Sequence, residues 1–138
     1  KDYKNYPSIL DANTLKKKHI LNDINNKIII KSLKVHHGSI KSICYIINDK
    51  CAYAPDVNYI DSKDLKYLKN LKYFIVDCLR YNFHPTHFNL DDVLKLIRKL
   101  KPKKAILTNL SNEIDYNEIK KKLPKNVIPA HDGLTVLI

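Results

Sequence analysis

The chain has 138 residues, 44% of them hydrophobic, and carries a formal net charge of +11 at pH 7. That length suits one ordinary domain with a core to bury. No apolar run approaches the roughly eighteen residues a membrane-spanning helix needs, so a soluble globular protein without a bilayer anchor is expected. All but two of the 25 basic residues are Lys, the exceptions being Arg80 and Arg98. Bidentate Arg contacts dominate base-edge readout, so sequence-specific nucleic-acid recognition is disfavoured. Diffuse attraction to phosphate stays open.

Residues 1–27 read as a polar lead-in, with Pro7 and an Asn-rich end at "NDINN". The segment has neither an initiator Met nor the apolar core of a signal peptide, which leads to the expectation that the chain begins mid-protein. From residue 28 onward the pattern sharpens. "KIIIKSLKVHH" alternates as a strand does and ends at His37. Gly38 follows, one of only two glycines in the chain; without a Cβ it lets the backbone turn sharply and aim His37 at a sheet edge. "SICYIIN" and "KCAYAP" are short β-prone runs around Asn48 and Asp49, which tolerate the left-handed backbone of a tight turn, so a hairpin is predicted.

Asp61 or Ser62 can cap a short helix over "SKDLKYLKN", and "LKYFIVDCL" is an apolar run of strand length, covered on both faces if central. In "NLDDVLKLIRKL", Leu90, Val93, Leu94, Ile97 and Leu100 fall on one helical stripe, and Asn89 with Asp92 makes a capping-box-like start. Pro102 follows. "KAILTNL" then reads as a strand, "DYNEIKKKL" as a helix capped through Asp115 and Glu118, and "NVIPAHDGLTVLI" as one or two closing strands. Strands alternating with helices predict an α/β layer.

Cys44, Cys51 and Cys78 are odd in number and lack CxxC spacing, which fits buried thiols in a reducing, cytoplasmic setting. The chemically capable side chains gather elsewhere. His36 and His37, Asp56, Asp77, His84 and His87, Asn109, His131 and Asp132 all fall at or just past the downstream end of a predicted strand, the edge where α/β layers bind ligands. A single His in such a place is more often structural than a ligand. Together, imidazoles and carboxylates are the ligand set for zinc, manganese or iron, and such a site activates water for hydrolysis.

"HHGSIKSICYII", "AYAPDV", "YFIVDCLRYNFHPTHFNLDDVLKLIRKLKPKKAILTNLSNEIDY" and "IPAHDGLTVLI" resemble the C-terminal half of metallo-β-lactamase-fold hydrolases, in the branch of phosphodiesterases and tRNA 3′-processing endonucleases. The resemblance covers about residues 28–138. It implies an α/β fold of one mixed sheet with flanking helices, half of an αββα sandwich. It also implies that His37 is a metal ligand, that Asp56 bridges two Zn2+ or Mn2+ ions, and that His87 serves the departing oxygen in catalysis. His36, next to the ligand position on a strand, points to the other face, and His84 is expected in a loop.

The chain departs from the family pattern in three places. Asn109 stands where relatives carry a ligating His, and an amide oxygen is a much poorer zinc ligand. Cys44 replaces a small residue, which adds bulk near the site. The His-x-His-x-Asp-His cluster of the family's N-terminal half is missing from the sequence. The resemblance therefore implies a fragment that is inactive alone and has weak metal affinity by itself, down to none bound, with an apolar sheet face exposed. The expected partner is either the missing N-terminal half or a second copy of this chain, and the substrate a phosphodiester or RNA. The competing reading is a non-catalytic basic module that holds RNA or another polyanion through its lysines.

Overall fold

The computed structural model describes residues 13–22 and 27–138. Among them seven strands form one mixed sheet, ordered as they occur in the chain. They are β1 Lys18–Asn22, β2 Lys27–His37, β3 Ile40–Ile47, β4 Cys51–Ala54, β5 Tyr73–Asp77, β6 Lys104–Thr108 and β7 Val127–Pro129. β1 to β4 pair antiparallel and β4 to β7 parallel. It follows that β2, β4, β5, β6 and β7 all run one way, and their carboxyl ends share one edge.

Local chemistry accounts for most of the elements. The β3–β4 hairpin turns on Asn48 and Asp49, both left-handed at φ 51° and 53°, with Lys50 N–H bonded back to the Ile47 carbonyl, a turn whose hand matches strand twist. Helix α1, Leu90–Leu100, starts where the Asn89 side chain accepts from Asp92 N–H, and ends on left-handed Lys101 before Pro102. Helix α2, Tyr116–Lys122, is capped in the same way by Asp115 accepting from Glu118 N–H. Both caps match the sequence expectation.

Two expectations need correction. The segment around "SKDLKYLKN" makes only a 3-10 turn at Leu65–Leu68, preceded by Asp64 with no side-chain cap; the carboxylate of Asp61 is engaged by His36 instead. The sheet also reaches into the expected lead-in, where β1 pairs with β2 from Lys18↔Lys31 to Asn22↔Lys27. At the other end, the closing segment holds one short strand, β7, within the expected one or two.

The strand register divides the sheet into two unlike faces. On one, Cys44, Ala52, Ala54, Phe74, Val76, Ala105, Leu107 and Val127 join Leu65, Leu68, Val93, Ile97, Leu100 and Ile119 in a single core. Each Val, Leu, Ile or Phe among them, when fully buried, contributes about 1.5–3 kcal/mol. Cys44 belongs to this packed layer, so its bulk fills the core rather than crowding the metal-ligand candidates. All three cysteines are buried and free, and burial pushes the Cys44 and Cys78 thiols up to about 12.

The opposite face carries a ladder of apolar side chains, Tyr45↔Tyr53↔Ile75↔Ile106↔Ile128. Tyr53 is 38% exposed, Tyr45, Ile75 and Ile128 are half-buried, and Ile106 is buried. No described helix covers this face of β5, because the helical segments that follow β4, β5 and β6 return by crossovers of one hand and pack on the other side.

Candidate metal centre

The carboxyl edge gathers the polar residues. β2 delivers His37 as its last residue, Asp56 lies two residues past β4, and Asp77 ends β5. His87 sits in the loop between β5 and α1, just ahead of the Asn89 cap. His37, Asp56 and His87 each offer a ligand atom, and these atoms all lie within 4.8 Å of one another. The two imidazoles meet edge to face, with centroids 4.6 Å apart.

Each histidine is fixed through its inner nitrogen. His37 Nδ1 donates to the Thr86 carbonyl at 2.8 Å, and His87 Nδ1 donates to Asp77 Oδ2 at 2.5 Å. Both rings are therefore held in the tautomer that leaves Nε2 free, the arrangement that orients metal-binding histidines. Asp77 is fully buried, accepts a second bond from Val57 N–H at 3.1 Å, and has Oδ1 without a partner. Burial pushes its carboxyl up to about 6, against the pull of Val57 N–H and the His87 ring. The sequence placed Asp77 at this edge, but its hold on His87 is a contact across the fold that no local pattern reveals.

Gly38 does more than turn the chain. At φ +63° it occupies the left-handed region, and a Cβ there would lie 2.6 Å from Thr86 Cγ2. The glycine lets the Thr86 loop close on the end of β2, where the Thr86 carbonyl holds His37. Replacing it (Gly38→Ala) combines this clash with backbone strain of about 1–2 kcal/mol. The variant is expected to unfold earlier in a thermal melt and to bind divalent ions more weakly than the parent; unchanged values for both would remove the glycine from this role.

The other candidates lie apart from this cluster. His36 faces away, within 3.3 Å of Asp61 and edge-on to Tyr59, as its place next to His37 predicts. His84 is a loop residue 5.1 Å from His87 between centroids; desolvation, Arg80, His87 and His37 lower its pKa. His131 stacks edge-on against Tyr116. Asn109, left-handed at φ 59°, donates from Nδ2 to the Pro55 carbonyl at 2.5 Å. A groove opens beside His37 and Asp56, lined by Ile40, Lys41, Tyr45 and Pro55.

Two imidazole nitrogens and a carboxylate fit a divalent transition ion, since three protein ligands and an open position are what catalytic zinc sites use. Residues 10–108 match the beta-lactamase superfamily domain. The chain belongs to that family. Its fold is that of the metallo-beta-lactamase hydrolases, which are metal-dependent. A diphosphatase of the PhnP family superposes with a TM-score of 0.81 at 27% identity, over 90% of this chain and 47% of that one. The human short-form tRNase Z gives 0.63 at 14% identity, over 88% and 46%. Zn(2+)-bound PqqB from Methylobacterium extorquens gives 0.70 at 12% identity, over 91% and 55%. The chain thus spans about half the length of these solved structures. No curated protein matches it in sequence, and no helix among the described residues is long and apolar enough to cross a membrane.

Proposed function

We propose that this chain is the C-terminal half of a metal-dependent hydrolase that cleaves phosphoric diesters or anhydrides, and that it works together with an N-terminal half bearing a His-x-His-x-Asp-His cluster. The observation that carries this reading is the convergence of His37, Asp56 and His87 at one sheet edge. Two further findings support it: the 27% identity to a diphosphatase twice as long, and the ladder of apolar residues on the sheet face away from the helices, a surface suited to a second sheet.

In this role His37 and Asp56 are metal ligands. A divalent ion held by them, zinc or manganese by its donor set, supplies Lewis acidity toward a phosphoryl oxygen and lowers the pKa of water. The proton chemistry at the leaving group belongs to His87. As the bond from phosphorus to the departing oxygen breaks, His87 Nε2 gives that oxygen a proton. The buried Asp77 carboxylate accepts from Nδ1 and so holds the ring in place while Nε2 gives up its proton. The groove beside Asp56 accommodates the ester.

Leaving groups of different basicity test the assignment of His87. In protein paired with an N-terminal half, His87→Ala is expected to slow hydrolysis of an alkyl phosphodiester by roughly 100-fold or more, the usual size of general-acid catalysis. A p-nitrophenyl ester, whose leaving group needs no proton, should lose far less. Equal losses for both substrates would remove the proton-donor role.

A further inference from the structure

Asp56 is held in an unusual way. Its carboxylate accepts no hydrogen bond among the described residues, yet the peptides on both sides of it are pinned by side chains from neighbouring strand ends. Ahead of it, the Pro55 carbonyl accepts from Asn109 Nδ2, just past β6. Behind it, Val57 N–H donates to Asp77, the last residue of β5. Asp56 is thus presented rigidly, with its carboxylate free, beside two imidazoles that are themselves locked through Nδ1.

We propose that Asn109 positions Asp56 instead of ligating metal, and that the chain by itself therefore closes a one-cation site on His37, Asp56 and His87. An amide nitrogen committed to a carbonyl offers nothing to a cation, and an amide oxygen is a weak donor for zinc, so position 109 contributes geometry and not a bond. His87, a proton donor when a second half brings its own ligands, occupies a coordination position in the lone chain. The ligand class is a single divalent transition ion such as Zn2+ or Co2+. This inference rests on the metal centre of the reading above and not on its phosphodiester chemistry.

The test uses the chain alone, stripped with a chelator and titrated with Co2+ and Zn2+. Calorimetry gives stoichiometry and affinity, and the visible absorption of Co2+ reports its coordination. One ion per chain is expected. Asn109→Ala should weaken binding roughly 10–100-fold, as loss of an outer-shell partner does, while leaving the Co2+ spectrum unchanged. His87→Ala should both weaken binding and change the spectrum, because a ligand is lost. His36→Ala, which faces away, should alter neither. No saturable binding, or two ions per chain, would overturn the one-cation site. A changed spectrum or an unchanged affinity in Asn109→Ala would overturn its positioning role. If one ion binds as described but the paired protein hydrolyses no phosphoric ester, the proposed function fails and this inference stands.

Discussion

Asp77→Asn is expected to lower turnover of the paired protein by roughly 10–100-fold, the range seen when the carboxylate behind a site histidine is lost, with no loss of thermal stability. Asp77 Oδ2 takes bonds from both His87 Nδ1 and Val57 N–H, and an amide oxygen can accept both. What the substitution removes is the negative charge facing the ring that hands over the proton. The same change replaces a buried carboxylate, one oxygen of which has no partner, with a neutral group that costs less to bury. A purely structural Asp77 would give the reverse pattern, with turnover intact and melting lowered. The alkyl ester should suffer more than the p-nitrophenyl ester, because Asp77 acts through the proton donor.

The second large effect concerns the open sheet face. Ile75 sits in the middle of the ladder from Tyr45 to Ile128, on the face that none of the described helices packs against. Ile75→Glu should leave the lone chain folded, with its circular dichroism close to that of the parent, because that face is not part of the helix-side core. Docking of an N-terminal half should weaken on the order of 100-fold or more, since an unpaired charge would be buried at the interface. Sedimentation of the parent and the variant, each alone and mixed, checks both statements. If the parent self-associates through this face and ignores the N-terminal half, a second copy of the chain is the occupant. If the variant docks as tightly as the parent, the ladder is not the interface.

How much of this was readable in advance followed the range of the interactions. β2, the Asn48–Asp49 turn and the caps at Asn89 and Asp115 depend on neighbours within a few residues, so spacing alone exposed them. β1 leaves no signal in the sequence because "KHILN" is almost wholly exposed and pairs with β2 through the main chain. The helix expected over "SKDLKYLKN" shrinks to one tight turn in which Asp61, one of the two expected caps with Ser62, is drawn toward His36, twenty-five residues earlier. At the site, strand ends located His37 and Asp56. The roles of Asp77 behind His87, of Thr86 behind His37 and of Asn109 against Pro55 arise only when distant strand ends meet. The exposed face is a similar case: the apolar run in β5 suggested burial on both sides, and only the handedness of the crossovers shows that every helix lies on one.

The most direct measurement follows hydrolysis of bis(p-nitrophenyl) phosphate, with Zn2+ or Mn2+ supplied, by this chain alone and mixed with a polypeptide carrying the family's N-terminal half and its His-x-His-x-Asp-His cluster. The chain alone is expected to be inactive and the mixture active, with the activity lost in His37→Ala and Asp56→Ala. Turnover by the chain alone, or activity in the mixture that survives both substitutions, would contradict the assignment of these two residues to a metal centre shared between two halves.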